Sequence, residues 1–173
     1  MSLHHDLLEQ ANTLASCDVR RPKSANLRRA ESAAYCALFH FLIEESCRGL
    51  IGSQPDRREY RNYFARGYQH SDMRRVCEIF RNRPKSQRTR PHIGDAIREI
   101  SHIFVESQDR RHIADYDRNA RLDRKSTFEM IGSIEAAIER FNRGDYSPDR
   151  SLFLAALATK RDWFDKAKKS GFA

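Results

Sequence analysis

Residues 33–43 (Ala-Ala-Tyr-Cys-Ala-Leu-Phe-His-Phe-Leu-Ile) hold one polar residue in eleven and no charge. They cover three helical turns without Gly or Pro, and their apolar side chains point to all sides, which predicts a buried central helix. The run is too short to span a bilayer, which needs ~20 apolar residues. Arg28, Arg29 and Glu31 before it, and Glu44, Glu45 and Arg48 after it, put both ends in water. Ser24 or Asn26 can cap the start and Gly49 or Gly52 the end, so the helix is expected over residues 24–52.

The other apolar stripes are arranged to cover this element. Leu3, Leu7, Leu8, Ala11 and Leu14 predict a short amphipathic helix ahead of it. After the loop through Pro55, Tyr60, Tyr63 and Phe64 predict a short helix ending at Gly67. A second follows from a Ser71 cap through Met73, Val76, Cys77, Ile79 and Phe80, and both are expected to turn their arginines outward. Residues 81–91 have two prolines, five basic side chains and no apolar one, the composition of an exposed loop. Ile93, Ala96, Ile97, Ile100, Ile103 and Phe104 then mark a second long core helix. Ser126 with Glu129 reads as a capping box for a helix carrying Phe128, Ile131, Ile134, Ile138 and Phe141. Ser147-Pro148 opens a last helix with Leu152, Phe153, Leu157, Trp163 and Phe164. No segment alternates with period two over a strand's length. The expected class is all-α: one domain over residues 1–173, an antiparallel bundle of four to five helices.

Composition fits a globular chain with a charged surface, at 39% apolar and 32% charged residues. Charge changes the picture more. Residues 57–90 hold ten Arg and Lys85 against Glu59, Asp72 and Glu78, so the whole net charge of +8 sits in one fifth of the chain. Arg far outnumbers Lys, and Arg suits bidentate phosphate contact and stacking on bases. Two readings are open: a solvated basic face that maintains solubility, or a polyanion-binding region. On the second, Arg81, Arg83, Lys85, Arg88 and Arg90 are the nucleic-acid contacts and RNA is the partner.

Cys17, Cys36, Cys47 and Cys77 have neither zinc nor disulfide spacing, which leaves reduced thiols. Glu99 and His102 form a lone Glu-x-x-His with no second copy, so no metal is expected. The absence of a Gly-rich phosphate loop or a nucleophile elbow leaves no cofactor and no covalent catalysis to expect. The first residues lack a signal peptide's basic start and apolar core, predicting a cytoplasmic protein without membrane attachment.

Two clusters look chemical. Ser32-Ala33-Ala34-Tyr35-Cys36-Ala37-Leu38-Phe39-His40 resembles the Ser-x-x-Tyr-Tyr-Ala-x-Phe-His signature of HEPN domains. Arg111-His112-Ile113-Ala114-Asp115-Tyr116-Asp117 is similar to the Arg-x-x-Ala-Asp-Tyr-Asp stretch of a later helix in the same superfamily, and the likeness covers about residues 24–145. It implies a HEPN-like helical bundle, often a homodimer. Such bundles serve in bacteria as toxin or defence endoribonucleases, as partners of nucleotidyltransferases, or as non-catalytic RNA-binding and adaptor modules. Active ribonucleases of the superfamily place a His after an Arg and four to six further residues. Here the nearest pairs, Arg66 with His70, Arg88 with His92 and Arg98 with His102, are separated by three, and Cys36 stands where a second Tyr is usual.

His40 has two readings: a neutral imidazole bonded inside the bundle, with Glu44 one turn on as its neighbour, or a general acid or base. Arg111 and Asp115, one turn apart, can be a plain surface ion pair, or Asp115 can hold Arg111 against a phosphate or a partner helix. Hence two functions are carried forward. In the first the chain is RNA-directed, a binder or non-standard metal-free endoribonuclease, with Arg111, Asp115 and His40 as catalytic residues. In the second it is a non-enzymatic module that dimerises or binds a separately encoded protein.

Overall fold

The computed structural model describes residues 2–18, 20–83, 92–144 and 147–159. They form α1 (Leu3–Ser16), α2 (Ser24–Ile51), a 3-10 turn (Pro55–Arg57), α3 (Arg58–Ala65), α4 (His70–Asn82), α5 (Asp95–Tyr116), α6 (Arg124–Arg143) and α7 (Pro148–Ala158). Among the described residues there is no strand, so the class is all-α as the periodicity predicts. No helix of the described residues is long and apolar enough to cross a membrane. Two compact units share the chain: residues 1–41 with 103–142, and residues 42–102 with 143–173.

In the first unit four helical segments pack with alternating direction. Arg28 of α2 reaches the carbonyls of Ala114 and Asp117 while the Tyr35 ring lies tilted 5.5 Å from Phe104, so α5 runs against α2. Thr127 bonds Glu31 and Phe141 meets Phe41 edge-on at 5.8 Å, so α6 runs with α2. His4 packs 5.1 Å from Phe41 and Asn12 donates to Glu135 at 2.9 Å, which sets α1 against both. The core is Leu27, Tyr35, Leu38, Phe41, Phe104, Ile131, Ile134 and Phe141, with Ala11, Ala30, Ala34 and Ala37 letting the helices close. Large apolar side chains dominate the burial energy, and the alanines set the spacing.

Sequence expectation and structure part in this unit at α1, at the cap of α6, and at Phe128, expected in the core stripe of α6 but exposed. α1 buries His4, Leu8, Ala11 and Ala15 rather than the stripe beginning at Leu3, which stays exposed. The shift follows from the His4 ring, which takes an edge-on seat on Phe41. At α6 the cap is Asp123, three residues before the expected Ser126. Its carboxylate accepts the Ser126 N–H at 2.9 Å and the Ser126 hydroxyl at 2.8 Å. A carboxylate there meets orphan donors and the positive end of the helix dipole together. The Ser126 N–H foremost, then its hydroxyl, holds the Asp123 carboxyl below its usual range.

In the second unit, α4 and α7 pack through Phe80 and Phe153, whose rings lie 5.1 Å apart. Leu42, Cys47, Met73, Val76, Cys77, Ile97, Ile100, Leu154 and Leu157 complete the core. Two of its buried polar groups tie helices together, while the buried Ser101 hydroxyl has no hydrogen-bond partner among the described residues. Arg150 donates to Glu45 at 2.9 Å and to the Gly144 carbonyl at 3.1 Å. The Ser46 hydroxyl donates to the Leu154 carbonyl at 2.6 Å, leaving the Tyr68 hydroxyl to donate back to Ser46. α7 begins as expected, with Pro148 in its first turn and the Ser147 side chain accepting the Arg150 N–H.

α2 passes through Gly49 and ends at Gly52, whose φ of +96° is the left-handed conformation glycine tolerates. The arginines of the following segment turn inward to this helix end, contrary to expectation. Arg57 donates to the Ile51 carbonyl at 2.7 Å, and Arg61 to Gly52 and Gln54 carbonyls at 2.7 and 2.9 Å. The last carbonyls of a helix lack partners within it, and the guanidinium forks supply them. α3 therefore buries no residue, and Tyr60, Tyr63 and Phe64 face outward.

Residues 81–83 are likewise not the exposed loop their composition predicts. α4 continues through Asn82, and Arg83 is buried, its carbonyl accepting from the buried Arg98 guanidinium. Residues 84–91, and Trp163 with Phe164, lie outside the described residues.

Candidate functional site

The run at residues 33–43 is buried except along one stripe. Ser32, Cys36 and His40, four residues apart, are half-buried, while Tyr35, Leu38 and Phe41 fill the core. The C-terminal turns of α5 lie beside this stripe. Arg111 Nε approaches Asp115 Oδ2 at 2.6 Å, and the Ser32 hydroxyl donates to the same oxygen at 3.5 Å. The Arg111 Nε–H is not directed at a hydrogen-bond acceptor, so the close approach to Asp115 is an ion pair in character. The Arg111 guanidinium carbon lies 6.0 Å from the ring centre of Tyr116, which is exposed and also has His112 at 4.8 Å.

Cys36 completes the cluster. Burial pushes its thiol above the usual range, Arg111 partly offsets this, and Asp115 adds to it. The thiol is therefore protonated at neutral pH and suits packing better than nucleophilic attack.

The arginines around the site divide by employment. Arg28 donates to the Ala114, Asp117 and Ala120 carbonyls at 2.7, 2.8 and 2.9 Å, closing the C-terminus of α5. Arg110 turns into the core and pairs with Glu31, which is fully buried and also accepts from Thr127 at 3.2 Å. Arg111 is engaged only through Nε, and its two terminal amino groups make no hydrogen bond to a described residue. A guanidinium pinned at one edge with four donors left over is arranged to take an anion.

His40 lies one turn beyond Cys36. Burial pulls its imidazole below the usual value of 6.5, so it is neutral at pH 7, and it forms no hydrogen bond to a described residue, neither with the expected neighbour nor with Arg111. Its one ring contact is the adjacent Phe39, at 5.5 Å. Arg111 and Asp115 are thus brought together with Ser32 and Cys36, and His40 extends the same stripe.

No family model, curated protein or solved structure matches this chain.

Of the expected nucleic-acid residues, Arg81 is half-buried on α4 with its Nε shut off from water. Arg83 is buried, and burial followed by the like charge of Arg98 pulls its guanidinium below the usual range. Lys85, Arg88 and Arg90 lie outside the described residues. Among the described residues no group of three or more His, Cys, Asp or Glu could hold a metal. Ser32 and Cys36 were legible as site neighbours only from their spacing, eight and four residues before His40. Arg28 and Tyr116 carry no comparable signal.

Proposed function

We propose that the chain is a HEPN-like helical module directed at RNA, with Arg111 as the cation that receives a backbone phosphate and Asp115 as the group that orients it. The observation carrying this reading is the free pair of terminal amino groups on Arg111, beside a helix stripe where the two motif segments meet through Ser32 and Asp115. An ion pair serving stability alone has no use for those donors, whereas bidentate phosphate recognition requires them.

Cleavage without a metal needs a base for the ribose 2′-hydroxyl, a cation for the developing charge and an acid for the leaving oxygen. Arg111 suits the second role. His40, neutral at pH 7, has the protonation state of a base, and its position on the Ser32–Cys36 stripe makes it the chain's own group for that task. Binding is the primary activity of this reading and cleavage its extension. The exposed Ile113 and Tyr116 beside Arg111 favour a second reading, a module whose α5 end seats a second copy or a partner protein.

Incubating the protein with structured and single-stranded RNA in chelator, alongside Arg111→Ala and His40→Ala, tests both. Cutting by wild type that both changes abolish establishes the ribonuclease. RNA binding that falls in Arg111→Ala without any cutting leaves a binding module. A wild type that ignores RNA yet sediments as a dimer transfers the assignment to the interaction reading.

A further inference from the structure

The outward face of α3 is unusual for so short a helix. Tyr60 is 69% exposed and Tyr63 80%, with Phe64 beside them, and no residue of α3 is buried. At spacings of three and four residues the three rings share one side. Phe64 is steadied by Tyr68, ring to ring at 5.9 Å, and the Tyr68 hydroxyl is fixed by Ser46. Tyr60 and Tyr63 have no such support from the described residues. The helix is held by Arg57 and Arg61 on the carbonyls ending α2, so its aromatic rings are not what fastens it.

We propose that this face is a stacking platform for the unpaired bases of single-stranded RNA. Stacking uses the flat face of an aromatic ring and tolerates any base, and tyrosine keeps its hydroxyl wet when no ligand is present. Charge selects the occupant. The helix stands in the region 57–90 that carries the chain's whole net charge of +8, with cations on either side of the rings. Arg57 precedes Tyr60 by three residues and Arg66 follows Tyr63 by three. Arg58 and Arg66 are exposed and form no ion pair with a described residue. Glu59, exposed on the same helix, is the opposing charge a phosphate must avoid. A dry protein contact favours a face depleted in charge, and this helix carries the exposed Arg58 at its start and is followed by the exposed Arg66. The inference takes its ligand class from the RNA-directed reading and adds a site that reading does not use.

The test is fluorescence anisotropy of the full chain with a labelled single-stranded oligoadenylate and with the same strand in a perfect duplex. Replacing Tyr60 and Tyr63 together by Ala should weaken single-strand binding by roughly tenfold or more. Tyr60→Phe with Tyr63→Phe keeps the rings and should bind like wild type. Duplex affinity should be the same in all three proteins. If the alanine variant binds the single strand as wild type does while Arg111→Ala does not, the platform is refuted and the RNA reading survives. If wild type binds neither form, both fall. If the alanine pair instead dissolves a dimer seen by light scattering and leaves RNA affinity alone, the face is a protein contact and the proposal is overturned.

Discussion

Glu31 of α2 is completely buried, and the guanidinium of Arg110, arriving from α5, is its counter-charge. One carboxylate oxygen is shared between Arg110 and Thr127, and the other has no partner. This is a buried charge with little reserve. Truncating the cation strands a carboxylate in the bundle, which costs about 3 kcal/mol or more, whereas replacing both partners by apolar groups is often close to neutral. Arg110→Ala should therefore lower the urea midpoint sharply, and adding Glu31→Leu should restore much of it. A double variant no better than the single one would show that the pair holds nothing.

Leu38 sits at the centre of the apolar run and is fully buried. Leu38→Ala should leave a cavity and cost ~2 to 5 kcal/mol in denaturant unfolding, since close-packed helices relax only partly into the space. A loss below about half a kcal/mol would mean the site collapses freely, which a close-packed interior resists.

The core was the legible part of this fold because burial writes itself into spacing. Met73, Val76, Cys77 and Phe80, or Ile131, Ile134, Ile138 and Phe141, can be read directly as buried stripes. What spacing hides is where a helix end finds its hydrogen bonds. Arg28, Arg57 and Arg61 look like surface charge in the sequence and are capping groups in the structure, because a guanidinium can serve any carbonyl its stem can reach. That reversal turned the α3 rings outward. The site was partly legible for the same reason: Ser32, Cys36 and His40 fall on one stripe by spacing, but that Arg110 turns inward and Arg111 outward depends on the buried Glu31.

His40 gives the chain a pH dependence whose sign can be worked out. Burial lowers its folded-state pKa below the unfolded value of 6.5, so between the two the unfolded chain binds more protons. Stability therefore rises with pH through that window and is lost as pH falls below about 6.5. Thermal melts between about pH 7.5 and 5.5 should show wild type losing more stability than His40→Gln. Parallel curves for the two proteins would mean that the imidazole titrates as it does in the unfolded chain.

Salt dependence separates a cation that meets phosphate from one that serves the fold. Arg111 has no hydrogen bond from its terminal donors to a described residue, while Arg28, which caps the same end of α5, spends both amino groups on carbonyls. Each phosphate neutralised on a single strand contributes ~0.7 to the slope of log affinity against log salt. Arg111→Gln should reduce that slope by about one such contribution and leave the melting temperature near wild type, because an ion pair one turn apart on a single helix is worth only ~0.2 to 0.5 kcal/mol. Arg28→Gln should do the reverse, lowering the melting temperature by uncovering the end of α5 while the slope stays unchanged in whatever fraction remains folded. An unchanged slope in Arg111→Gln, with binding intact, would move the phosphate contact away from α5 and into the basic stretch at residues 57–90.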